Sequence, residues 1–392
     1  MSNSGKVNIA VIGVGNMGSV HVKDIATRLP NTNLAAVCDT DRERADRYAA
    51  EYHVPAFYDY RELLQQAGLD AVLVATPHYD HTPISIEALE KGIHVLVEKP
   101  LAVHVNDGRK MTAAYEQARA KYPNIQFGIM FMSRLHTHWA KIKKFLDSGQ
   151  LGRLARATWI VTDWYRTQAY YDGSGWRATW RGEGGGVLLN QCPHNLDLYQ
   201  WFFGMPQRVS GFAHIGKYHD IEVEDEVTAY FEHENGMVGH FIASTAESPG
   251  TNRLEIVGEM GKLTLENGKV RLAHNEHSML ENIRASKAAF DAVPYQSEEL
   301  PCEPLMDWLH WKVTQAFADA ILTGAPLLAH ASEGLNSLTL GNAIMLSSFQ
   351  GRPLTLPIDG QVYEMKLQEL IKTSRYQKVV HEAKVDFGKS FK

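Results

Sequence analysis

The residues Gly13-Val14-Gly15-Asn16-Met17-Gly18 follow directly on the apolar run Val7–Ile12. Between a strand and a helix each glycine has a task. Gly13 permits a tight turn, Gly15 lets the backbone approach a pyrophosphate, and Gly18 lets the helix lie close to the strand. Asn16 and Met17 then open a helix whose free N–H groups and positive dipole end suit phosphate. A second apolar run, Leu34–Cys38, ends in Asp39, where a carboxylate accepts hydrogen bonds from the ribose hydroxyls of an adenosine. Its charge repels a 2′-phosphate, so the expected cofactor is NAD in preference to NADP, a discrimination that Arg42 weakens.

Two further tripeptides, Thr76-Pro77-His78 and Glu98-Lys99-Pro100, close the apolar runs Ala71–Ala75 and His94–Val97. Ligands of open parallel sheets bind beyond the carboxyl ends of the strands, so both belong at the same crevice. A lysine at a buried strand end has either a task or a partner, and Glu98 is the nearest partner. His78, His81, His136, His138 and His194 invite a metal reading, but no Cys/His cluster with ligand spacing accompanies them, and none is expected. The stretches Asp163–Tyr171 and Trp176–Arg181 are dense in aromatics and arginines. Tyr171, Trp176 and Arg177 would suit a sugar ring, stacked on its C–H faces and held by its hydroxyls, and the same composition suits a subunit interface. Arg134 reads either as a substrate ligand or as an ion-pair partner.

Positioning these residues needs two kinds of architecture. Up to residue 132, short apolar runs alternate with amphipathic stretches near 17–29, 41–51, 60–67, 83–91 and 106–121, with a last strand over Ile125–Met130. That alternation predicts an α/β Rossmann domain with a doubly wound parallel sheet over 1–132. Beyond it, Arg208–Ile215, Glu224–Glu232, Met237–Ser244, Leu254–Val257 and Lys262–Leu265 read as successive strands, with Asn235-Gly236 and Asn267-Gly268 suited to hairpin turns. The expectation is an α+β domain over 133–362, for substrate binding and oligomerisation, with a large, mostly antiparallel open sheet covered on one face by helices at 186–203, 307–322 and 332–349 and joining subunits through its other, uncovered apolar face. Pro294–Pro304 reads as an exposed linker and 363–392 as a C-terminal arm.

Composition narrows the class. The chain has 392 residues, 44% hydrophobic and 21% charged, with a formal net charge of −6. That balance argues against a nucleic-acid or membrane-surface binder. Three widely spaced cysteines point to a reducing, cytoplasmic setting. The N-terminal apolar run is too short for a signal or membrane segment.

Together these motifs resemble the glucose–fructose oxidoreductase, inositol dehydrogenase and rhizopine-catabolism (Gfo/Idh/MocA) family. Its pattern joins a strand–GxGxxG start, a strand-end Thr-Pro followed by His (here Thr76-Pro77 and His81), Glu-Lys-Pro (Glu98-Lys99-Pro100), and Gly-Gly-x-Leu-x-Asp-x-Gly-x-His-x-x-Asp. This chain reads Gly185-Gly186-Val187-Leu188-Leu189-Asn190-Gln191-Cys192-Pro193-His194-Asn195-Leu196-Asp197 at the last of these. Asn190 replaces an acid, so that position holds no base, although an amide still orients a hydroxyl. On one continuous helix Asn190, His194 and Asp197 would share a face. The resemblance implies a catalytic pair, with His194 as base and Lys99 polarising the alcohol oxygen, and Asn190 as a substrate ligand. It further implies cofactor contacts at Thr76, Pro77, His78, His81, Glu98 and Lys99, and a homodimer or homotetramer. The expected activity is NAD-dependent oxidation of a ring secondary alcohol of a pyranoside, anhydrosugar or inositol. An NAD-dependent glycoside hydrolase acting by transient oxidation and elimination, and a non-catalytic dinucleotide sensor, are the rival classes.

Overall fold

The computed structural model describes residues 5–302 and 308–381. The first sheet comprises β1 (Val7–Ile12), β2 (Thr32–Cys38), β3 (Ala56–Phe57), β4 (Ala71–Val74), β5 (His94–Val97) and β6 (Phe127–Ile129). All are parallel, in the order β3-β2-β1-β4-β5-β6. Helices α1 (Asn16–Thr27), α2 (Arg42–Tyr52), α3 (Tyr60–Leu63), α4 (His81–Glu90) and α5 (Val105–Lys121) lie between the strands in the chain. The strand order reverses between β1 and β4, which opens a crevice at their carboxyl ends. Continuous apolar runs are what a sheet covered on both faces requires. Ile9, Val11, Leu73 and Leu96 pack with α1, and Ala10, Val72, Val74, Val95 and Val97 belong to the core shared with α4 and α5.

The chain continues through α6 (Thr137–Asp147), β7 (Leu154–Val161), α7 (Gln168–Asp172), α8 (Val187–Asn190) and α9 (Pro193–Phe203). Next come β8 (Arg208–Ile215), β9 (Glu224–Glu232), β10 (Val238–Ser244), β11 (Asn252–Gly258), β12 (Gly261–Glu266), β13 (Lys269–Asn275), α10 (Met279–Ala285) and β14 (Tyr295–Leu300). The last elements are α11 (His310–Thr323), α12 (Ala331–Gln350), β15 (Leu354–Thr355) and α13 (Gly360–Thr373). Nine strands form the second sheet in the order β14-β13-β12-β11-β7-β10-β9-β8-β15, antiparallel except between β7 and β10. Its inner face (Trp159, Val227, Phe231, Phe241, Leu254, Ile256) is buried with α9 and α12. Helix α12 rides so close on β8 that a Cβ on Gly211 would lie 2.2 Å from the Ile344 carbonyl oxygen.

Four expectations change. The segment read as an exposed linker contains β14, an exposed edge strand paired with β13; its residues 303 and 304 lie outside the described residues, as does 307, the expected first residue of the third covering helix. The described part of that helix, α11, covers the first sheet rather than the second. Leu309, Val313, Phe317 and Ile321, one helical turn apart, pack with Ile9, Val11, Leu73 and Leu96. The stretch 186–203 is two helices broken at Gln191-Cys192. The open face of the second sheet is not an apolar surface either. One row across it reads Phe212, Thr228, Ile242 and Ile160, and beyond it Arg156 pairs with Glu255 while Arg253 pairs with Glu255 and Glu266.

Candidate active site

Gly13 has φ +85°, and a Cβ there would sit 2.8 Å from the Ala75 carbonyl and the Thr76 nitrogen. A Cβ on Gly18 would lie 1.8 Å from the Gly13 oxygen, so α1 starts against the β1 loop. Around Gly15 there is open space. Asn16 is exposed and Met17 partly so at the start of α1. Asp39 braces this loop, with Oδ2 accepting the Val14 N–H at 2.9 Å and Oδ1 the Asp41 N–H at 2.9 Å. The cation beside it is Arg44, at 3.2 Å; Arg42 lies over the Tyr58 ring instead. Among the described residues the buried Thr76 hydroxyl has no hydrogen-bond partner. Open backbone at Gly15, a helix start and an orphaned hydroxyl fit a dinucleotide.

Pro77 leads into the short turn His78–Asp80. The His78 Nδ1 lies 3.1 Å from the Glu183 carbonyl, its ring 5.3 Å from that of Trp176. His81 is buried with Nδ1 2.8 Å from the Pro100 oxygen and Nε2 3.0 Å from the Thr76 oxygen. It ties the two strand-end loops together, so its ring nitrogens are committed to protein rather than to cofactor.

Glu98 is not the partner of the Lys99 ammonium. Its Oε1 meets His21 Nε2 at 2.7 Å and its Oε2 accepts the Lys99 backbone N–H at 3.1 Å. Burial alone would raise the Glu98 carboxyl; the hydrogen bond and charge of His21, helped by His310 and Lys99, outweigh it and hold it at about 2. Lys99 Nζ donates to the Asn190 carbonyl oxygen at 2.8 Å. Burial lowers its pKa, opposed by Glu98 and Glu183 and reinforced by Arg177 and Arg166. His194, in the first turn of α9, is 8% exposed, and its Nδ1 has no partner among the described residues. Burial first, then Lys99 and His310, push its pKa well below 6.5. The imidazole is therefore neutral near pH 7 and keeps a lone pair for a proton.

Because the helix breaks, Asn190 ends α8 while His194 begins α9 behind Pro193 at its first position. Asp197, one turn on, binds Arg134 through two bonds, Nε to Oδ2 at 2.9 Å and Nη2 to Oδ1 at 2.7 Å. Arg134 Nη1 takes Glu333 at 2.7 Å. Of the two readings of Arg134 the structure gives the ion pair, not a substrate ligand. Tyr171 is likewise no free ligand, being buried with its hydroxyl 2.8 Å from that of Thr245. Trp176 and Arg177 remain partly exposed, with the Arg177 guanidinium over the rings of Trp176 and Tyr170. The Asn190 amide has protein partners at both ends, Tyr170 and Glu183. Sequence reasoning missed Tyr170, Glu183 and Glu224. Glu224 accepts the Gly186 and Leu188 N–H groups at 2.8 and 3.0 Å, holding the start of α8. Its distance along the chain leaves no local signal, whereas Glu183 stands beside the glycine run that carries one. Among the described residues no group of three His, Cys, Asp or Glu side chains is placed to hold a metal ion, and no helix is long and apolar enough to cross a membrane.

Comparison with known proteins places the chain in a family. The chain is 26% identical over 365 residues to scyllo-inositol 2-dehydrogenase (NAD(+)) of Bacillus subtilis (strain 168), covering 90% of this chain and 97% of that one. It is 32% identical over 246 residues to inositol 2-dehydrogenase of Corynebacterium glutamicum (strain R), covering 60% and 66%. The WlbA dehydrogenase from Bordetella pertussis, solved with NADH and UDP-GlcNAcA, superposes with a TM-score of 0.75 at 26% identity over 90% of this chain and 100% of that one. Residues 7–124 match the oxidoreductase family with an NAD-binding Rossmann fold (GFO_IDH_MocA), and residues 139–264 match the GFO/IDH/MocA C-terminal domain. With glycine loop, strand-end lysine and helix-start histidine in the order the motifs require, this chain is an NAD-binding oxidoreductase of the Gfo/Idh/MocA family.

Proposed function

We propose that the chain oxidises a ring secondary alcohol of a cyclitol, pyranoside or anhydrosugar to the ketone with NAD. The carrying observation is the hydrogen bond from Lys99 to the Asn190 carbonyl, which draws the end of β5 onto the α8–α9 turn that bears His194. Bound nicotinamide would accept the hydride from the alcohol carbon. His194, neutral in this setting, takes the hydroxyl proton on its imidazole, through Nε2, since its Nδ1 is buried. The Lys99 ammonium polarises the same oxygen. Trp176, Arg177 and Tyr170 offer the aromatic and cationic wall that a polyol ring needs.

The chain acts as a homo-oligomer joined through the open face of the second sheet, where the Phe212–Ile160 row offers apolar contact and the flanking ion pairs offer register; a monomeric mass by light scattering at micromolar concentration refutes this. The free thiols of Cys38, Cys192 and Cys302 support a cytoplasmic setting. The activity is tested by NADH formation across inositols, pyranosides and anhydrosugars. Turnover with one of them, reduced about 10²–10⁴-fold in Lys99→Ala and His194→Ala with NAD binding retained, supports the reading. Aglycone release from a glycoside without net NADH would replace it with redox-neutral cleavage.

A further inference from the structure

Glu183 is a buried carboxylate, 1% exposed, that the chemistry above does not use. Its Oε2 accepts the Ala178 N–H at 2.6 Å and its Oε1 accepts Asn190 Nδ2. Asn190 is the residue whose carbonyl holds Lys99, and its Oδ1 accepts the Tyr170 hydroxyl at 3.3 Å. Tyr170 Oη in turn accepts from Arg177 Nη1 and, at 3.2 Å, from Gln191 Nε2. Every donor in this chain points the same way, from the Arg177 cation through Tyr170 and Asn190 to Glu183. Arg177 Nη1 also stands 3.9 Å from Glu183 Oε1. Burial raises the Glu183 carboxyl while Arg177 and Lys99 both draw it down, and the neighbouring Glu98 is committed to His21.

We propose that Glu183 is the positioning carboxylate of the site, supplying from the preceding loop the negative charge that position 190 lacks, fixing the direction of the Asn190 amide and balancing Lys99 against Arg177. The proposal deepens the reading of Lys99 as the group that polarises the alcohol oxygen, and rests on it for its catalytic meaning. It has a sharp chemical consequence, because Glu/Gln and Asn/Asp are pairs of equal shape. In Glu183→Gln the side-chain oxygen must still accept from Ala178, which turns an NH₂ group towards the Asn190 NH₂ and breaks the chain's direction. In Asn190→Asp two carboxylates face each other. In the swap, Glu183→Gln with Asn190→Asp, every bond re-forms. The amide introduced at position 183 would accept from Ala178 and donate to the carboxylate introduced at position 190, whose other oxygen accepts from Tyr170, with net charge unchanged.

The test reads Lys99 directly, without substrate. The full-length enzyme and the three variants are labelled with trace acetic anhydride from pH 6 to 11, and Lys99 modification is followed by peptide mass spectrometry. Unprotonated amine reacts, so the midpoint reports the charge around Lys99. Glu183→Gln is expected to lower the midpoint, with labelling near pH 8 about threefold faster. Asn190→Asp is expected to raise it, and the swap to return it to the wild-type value. A wild-type midpoint in Glu183→Gln, or a swap that behaves like Glu183→Gln, overturns the proposal. If Glu183→Gln does not fold, a swap that folds with a wild-type midpoint supports it, and one that also fails to fold, or folds with a shifted midpoint, overturns it. Should Lys99→Ala keep full turnover, the catalytic reading falls while the labelling result still decides the role of Glu183.

Discussion

Asp39 and Arg134 show how far a single residue's task can be read before its partners are known. The place of Asp39 at the end of a strand past a glycine loop makes it the expected ribose ligand, but its bond to the Val14 N–H joins residues far apart in the chain. Asp39→Ala strands that amide and leaves Arg44 with Asp41 as its one remaining carboxylate among the described residues. NAD binding is expected to weaken about ten- to a hundredfold, the worth of a charged hydrogen bond, and preference over NADP to shrink; the ratio of KM values for the two cofactors checks both. Arg134→Ala leaves Asp197 buried without its cation. That costs about 3–5 kcal/mol of stability, measured by urea unfolding. A raised substrate KM with unchanged stability would instead return Arg134 to the substrate site. The Asn190 amide shows the limit of legibility, since no pattern states that Glu183 will receive it.

At the scale of elements, α8 is a four-residue helix that would not persist alone, and Glu224 on β9 holds it. Burial raises the Glu224 carboxyl to about 7 against the pull of its backbone donors. Glu224→Ala unpairs the Gly186 and Leu188 N–H groups. A loss of about 1–3 kcal/mol is expected for a buried group left without a partner, together with a lower kcat, because α8 carries the Asn190 carbonyl that holds Lys99. Chemical denaturation and initial rates check the two halves, and an unchanged kcat would separate α8 from the chemistry. The parallel strands are legible because burial on both faces forces continuous apolar runs, so Val7–Ile12 and His94–Val97 can be read to the residue. Strand β7 escapes, although it lies mid-sheet, because Arg156 and Thr158 face the open side and interrupt the apolar run. Strand β14 escapes because it is exposed almost throughout. The break in 186–203 is hidden because its residues are buried on both sides of Gln191-Cys192.

The whole molecule buries an unusual number of imidazoles. Burial lowers His94, His136, His138 and His310 to about 4 each, and lowers His78, His81, His104, His194, His233 and His330 as well. Above pH 6.5 these groups are neutral in both states. As pH falls from 6.5 towards 4 the unfolded chain binds protons that the folded chain refuses, and each proton of difference removes about 1.4 kcal/mol of stability per pH unit. Glu98 adds to the loss between 4.5 and 2, since its stabilisation is present above 4.5. Glu224 acts in the opposite sense, its contribution being present below 4.5 and lost as pH rises through about 7. So do Asp80, Asp163, Glu183 and Asp197, raised by burial, and His219, raised against burial by Asp225, but the ten lowered imidazoles outnumber them. Urea midpoints are therefore expected to fall steadily from pH 7 to pH 4.5, and a flat profile would refute the buried neutral imidazoles.

Helix α11 closes one face of the first sheet although it arrives from the far end of the chain. During synthesis β6 is finished roughly 190 residues before α11 is complete. At about 5–20 residues per second that is an interval of about 10–40 s. Ile9, Val11, Leu73 and Leu96 wait through it without the helix that shields them, a nascent surface suited to a chaperone. A gene cut after residue 132 would leave that gap permanent, so the nucleotide-binding half is not a portable module: its last wall is encoded behind nearly the whole of the other half.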